Sequence, residues 1–226
     1  MKVRKARDFL SQSWQSEAYL SIFLFIIILL VFVFPSLDIG VHHVALYADI
    51  GTTIGFIAGI GIARGNHKLF ILTSVACVLA IVMRWVTWWM PESGILILSQ
   101  ALDLIAILAI VTALLWQIFR SGPITGVRIQ GAIAAYLFLA FWWAHAYNIV
   151  HLLAPGSFNT SAVNPADVSE WVNYSFGMLT TVGYGQIVPI SPIAHTLTSA
   201  EAVTGPLYLA VLIARLVSMQ MASKQP

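Results

Sequence analysis

Six stretches of the chain, 18–34, 44–62, 69–90, 95–117, 129–153 and 193–220, stay apolar for the length of a bilayer crossing, which a helix covers in about 20 residues. A soluble fold of this size has no interior large enough to hide six such helices. Composition agrees: 59% of the 226 residues are hydrophobic and 9% are charged, against roughly 25% charged in soluble domains. The mean hydropathy is +0.87. An all-α membrane protein is therefore expected, with lipid as its solvent. A net charge of +2 carries no signal for nucleic acid as a partner. The first stretch follows Lys2, Arg4, Lys5 and Arg7 but ends at Pro35 without a small-residue cleavage site, so it reads as a retained span and not as a signal peptide.

Six crossings put both termini on one side. Of the eleven Lys and Arg residues, all but Arg84 fall on that side when the spans are counted this way, which makes it cytoplasmic in a cell membrane. A missed or added helix would scramble this agreement. Trp85, Trp88 and Trp89 then lie at the outer boundary and Trp116 near the inner one, as aromatic belts do. The lone Cys77 sits in an apolar run and reads as a small buried hydrophobe.

Between the fifth and sixth spans, the segment 165–189 is neither continuously apolar nor simply polar. Backbone in the hydrocarbon region must be shielded by protein or line a watery path, which predicts a re-entrant loop. Residues 167–179 look helical, with Asp167 and Glu170 placed for an N-cap and first turn. Thr180-Thr181-Val182-Gly183-Tyr184-Gly185 follows at once. A half-helix ending there would aim its negative dipole end at a cation in the membrane.

This run resembles the signature of the potassium channel superfamily, and residues 126–220 look like a bacterial two-transmembrane pore domain. The resemblance implies a homotetramer in which four strands offer rings of backbone carbonyls to a dehydrated K+ ion. Thr181, Val182, Gly183 and Tyr184 would bind K+, and Gly185 would complete the selectivity filter. Gly183 and Gly185 permit the backbone angles that turn successive carbonyls to one axis. The resemblance also makes Gly205 the flexible glycine of the inner helix, with Pro206 weakening it further. Leu209 and Ile213 are expected to line the inner cavity.

Thr180, Asn173, Gly177 and Gln186 are expected to support the filter. The family usually has an Asp after the filter bonded to a pore-helix Trp, where this chain has Gln186 and Asn173. Some members place a Glu where this chain has Gly177. An amide–amide pair between Asn173 and Gln186 is expected as a substitute, with altered inactivation or conductance as its consequence.

Residues 1–120 are expected to form a four-helix, sensor-like bundle and 121–226 the pore. A voltage sensor needs repeated Arg or Lys in its fourth helix, yet 95–117 carries only Asp103. Weak voltage dependence follows, because each charge moved supplies about 2.3 kcal/mol per 100 mV. Arg84 lies about 9 Å below the outer end of its span and Asp103 about 12 Å below its own. A structural ion pair is expected, with Asp49 as the alternative partner. Gly51, Gly55 and Gly59 predict a small face for close helix contact.

Glu201 is an acidic residue within a span and so a functional candidate; bracing the pore helix and responding to pH both stay open. The six histidines read as interfacial polar residues, with external pH sensing as the alternative. Only 221–226 follows the last span, which predicts no nucleotide- or calcium-binding gating domain after it. No nucleophile–base pair, phosphate loop or usable carboxylate pair points to an enzyme, and no cofactor is expected beyond K+ as the permeant ion. A less selective cation channel and a secondary transporter are the rival functions. The transporter would show repeated halves with paired interrupted helices.

Overall fold

A computed structural model describes residues 24, 25, 28, 41–119, 125–164 and 168–222. The expected first span, 18–34, lies almost wholly outside them, as does Asp167. Within them the chain is helical: α1 (Val41–Ile62), α2 (His67–Val86), α3 (Ser93–Phe119), α4 (Gly126–Leu153), α5 (Val168–Leu179) and α6 (Pro192–Ala222). All but α5 are long and apolar enough to cross a membrane.

The side-chain pattern of α2 shows which solvent the fold faces. Its outward residues are Ile71, Leu72, Val75, Val78, Leu79 and Val82, a single helical stripe of large apolar side chains. The opposite face, Thr73, Ala76, Cys77, Ala80 and Arg84, is small or polar and buried. Small residues let backbones approach where lipid removes the hydrophobic drive between helices. The chain is a membrane protein built on that logic.

α1 and α2 are joined by a 3-10 turn at Ala63–Gly65. Asn66 then caps α2, its Oδ1 accepting from the amides of Lys68 at 3.0 Å and Leu69 at 3.4 Å. α3 runs beside α4 of the same chain, with Ile107, Ile110 and Leu114 in one core with Ala132, Ala135 and Phe138. Of the three spaced glycines, Gly59 shows the expected close approach: a Cβ there would lie 2.4 Å from Ile110 Cδ1. Gly55 does not, since its Cβ would meet no described atom within 4 Å.

A second core surrounds the short α5. Trp171 and Tyr174 pack against Tyr147 and Phe158, with ring centroids 5.0–6.1 Å apart. Such offset and edge-on pairs each add about 0.5–1.5 kcal/mol beyond area burial. A two-residue ladder closes the far side: β1 (Phe158–Asn159) pairs antiparallel with β2 (Val188–Pro189), Phe158 opposite Pro189. The chain on both sides of 181–185 is therefore tied down.

Candidate ion pathway

The site is built from the end of α5. Thr180 N donates to Phe176 O and Thr181 N to Met178 O, both at 3.0 Å. The next two amides, Val182 N and Gly183 N, both turn back to Gly177 O at 2.8 and 3.1 Å. In a trans peptide the N–H and C=O point opposite ways, so these three amides turn the carbonyls of Thr180, Thr181 and Val182 away from α5. Among the described residues none donates to the carbonyls of Thr181, Val182, Gly183 or Tyr184. Positive φ recurs at every second residue: 62° at Thr181, 60° at Gly183 and 78° at Gly185. Glycine enters this region freely, whereas Thr181 is held there at a cost.

Gly177 is buried directly behind the strand, where a Cβ would lie 3.4 Å from the Tyr184 ring. Asn173, Tyr174, Gly177, Tyr184, Gln186 and Ile187 line one recess there. The expected Asn173–Gln186 amide pair is not formed: both side chains are exposed, and no hydrogen bond joins them. Sequence chemistry made them complementary, but both point away from the protein interior.

α6 grips α5 along one face. Thr198, Glu201 and Gly205 recur at helical spacing and meet Tyr174, Ser175 and Leu179. Tyr174 Oη and Thr198 Oγ1 are 2.8 Å apart. Glu201 is fully buried, hydrogen-bonded to Ser175 Oγ and accepting from Tyr147 Oη at 2.5 Å. Gly205 lies flat against Leu179, where a Cβ would sit 1.9 Å from the carbonyl oxygen. Leu179 O also accepts from Tyr136 Oη at 3.2 Å. α6 runs helically through both Gly205 and Pro206. Here the glycine serves close packing. Leu209 and Ile213 are exposed in the single chain.

Away from this region, Arg84 takes both expected partners at once. Its Nη1 bonds Asp49 Oδ1 at 2.6 Å and its Nη2 bonds Asp103 Oδ2. Trp88 Nε1 donates to Asp49 Oδ2 at 2.7 Å. His145 of α4 bonds Gln100 and comes within 4.0 Å of Asp103. The one basic residue that broke the charge pattern is thus neutralised inside the bundle. Sequence reasoning missed Ser175, Tyr147, Tyr136 and Gln100 as partners. A polar residue inside an apolar span, as His145 is, was the one signal that a buried partner must exist.

Among the described residues, five bilayer-length helices, with a short helix and a strand between the last two, describe a membrane protein. Residues 135–222 match the ion channel family, which is not a family of enzymes. Over 97 residues the chain is 32% identical to the inward rectifier potassium channel Kirbac3.1 of Paramagnetospirillum magnetotacticum, covering 42% of this chain and 28% of that protein. No solved structure matches significantly. Family and relative together support placing this segment in the potassium channel superfamily.

Proposed function

We propose that the chain is one subunit of a homotetrameric, potassium-selective channel that conducts K+ passively. The observation that carries this reading is the 181–185 strand: the amides of Thr181, Val182 and Gly183 are committed to α5, while among the described residues none donates to the carbonyls of 181–184. K+ sheds water only where oxygens replace its shell, and one strand supplies a quarter of each ring. Four copies about a common axis complete the filter. Thr181, Val182, Gly183 and Tyr184 hold the ions; Leu209 and Ile213 face the inner cavity. The reading includes six spans, both termini cytoplasmic, and residues 1–120 as a bundle without gating arginines beside a pore of 121–226.

Reversal potentials of purified protein in mixed K+ and Na+ test it. A strong preference for K+ is expected, and equal permeability refutes selectivity. The unpaired Asn173 and Gln186 favour one second reading, a less selective cation channel of the same fold, because the outer strand lacks a hydrogen bond there. Conductance should depend only weakly on voltage; a steep conductance–voltage curve counts against the sensor-like bundle being uncharged machinery.

A further inference from the structure

The hydroxyl of Ser175 has one proton and two neighbours that need one. Its Oγ lies 2.7 Å from Ala140 O on α4 and in hydrogen-bond contact with Glu201 Oε1 on α6. A carbonyl oxygen only accepts, so the bond to Ala140 uses the serine proton. The bond to Glu201 then needs a proton from the carboxyl group itself. Tyr147 Oη, 2.5 Å from Oε2, donates to the other oxygen. The four groups form one directed chain, Tyr147 to Glu201 to Ser175 to Ala140.

Charge points the same way. Glu201 is completely buried, and among the described residues no Lys, Arg or His forms an ion pair with it. The titratable groups that face it are Tyr136 and Tyr147 from α4 and Tyr174 from α5. None of these is a cation. A lone carboxylate in such a site is costly, which agrees with the proton that the hydrogen bonds require.

We propose that Glu201 carries a proton that ties α5 to α4 and α6, making it a positioning residue whose ionisation slackens the support beneath the 181–185 strand. Ionised, Glu201 becomes a pure acceptor and draws the Ser175 proton to itself. The Ser175–Ala140 bond is then lost, and a charge with no cation among the described residues beside it is left between three helices. Only the conductance part of this proposal rests on the channel reading above.

Infrared spectroscopy of the purified protein and K+ flux from liposomes separate the two. The C=O stretch of a protonated carboxyl is expected in the parent and absent in Glu201→Gln, the difference removing any contribution from other acids. Tyr147→Phe, which deletes one donor to the carbonyl oxygen, should shift that band to higher frequency. Flux through the parent should fall as the band disappears with rising pH. Glu201→Gln, whose amide reproduces both hydrogen bonds, should conduct with that pH dependence lost. Identical spectra for parent and Glu201→Gln overturn the proton, and an unchanged pH profile in the variant overturns its link to conduction. A band that titrates in a protein with no K+ flux leaves the proton standing and refutes the channel.

Discussion

Replacing Gly205 by alanine separates two roles for this residue by sign. The new methyl would lie 1.9 Å from Leu179 O, 2.9 Å from its carbonyl carbon and 3.4 Å from its Cα. Non-bonded heavy atoms rest at about 3.5 Å, so α5 and α6 must part by roughly 1.5 Å. No rotamer relieves the clash, because the obstacle is backbone that also accepts from Tyr136. Displacing Leu179 moves Thr180 and Thr181 with it, since their amides bond the last turn of α5. Overpacking of this kind costs about 1–3 kcal/mol. A glycine serving only as a hinge predicts the reverse, a gain of about 0.5–1 kcal/mol from alanine in a helix interior. Thermal unfolding in detergent at fixed protein concentration, beside liposome K+ flux, decides between them. Both should fall in Gly205→Ala, and a more stable variant with undiminished flux would refute the packing argument.

Gly59→Ala should be milder than Gly205→Ala, although its Cβ would also be too close, at 2.4 Å from Ile110 Cδ1. That obstacle is the tip of a side chain and can turn away, so the unfolding midpoint should drop by less. Arg84→Met leaves two carboxylates without their shared cation, and removing one partner of a buried pair costs about 3–5 kcal/mol. Adding Asp103→Leu should recover part of that loss in the same unfolding assay. Asn173→Ala removes an exposed side chain that forms no hydrogen bond to Gln186, so stability should change by less than about 0.5 kcal/mol. A larger loss would restore the amide pair.

Local features were legible in the sequence where one segment alone determined them. Hydropathy placed α1, α3, α4 and α6 to within a few residues, and the acidic start and Thr-Thr end bounded α5. It overran α2, because Trp88, Trp89 and Met90 carry large apolar side chains, yet the helix ends at Val86 and 87–89 form a turn, with Trp89 N and Met90 N both bonded to Val86 O. Hydropathy has no term for a helix end. Partners far apart in the chain were the harder part. Tyr147 and Glu201 are 54 residues apart and Tyr136 and Leu179 are 43 apart, so only the packing of α4 against α5 and α6 pairs them. The same gap misled the Asn173–Gln186 expectation, where matching chemistry stood in for geometry.

The contacts within one chain also set a limit on what one chain can hold. Leu179 is fixed by Tyr136 and Gly205, and beyond the strand Ile187 is buried beside the β1–β2 ladder. Between these anchors Val182 is 56% and Tyr184 75% exposed, and Thr181 keeps a left-handed backbone. A strand with open carbonyls and exposed apolar side chains is poorly stabilised alone, in water or in lipid. In the proposed channel, packing against other copies would remove that exposure, and cations on the axis would satisfy the carbonyls. Assembly and ion binding are thus one requirement in the proposed channel, so K+ should stabilise the oligomer against dissociation more than Na+ does. An oligomer indifferent to the choice of cation would argue that the strand is held by protein contacts alone.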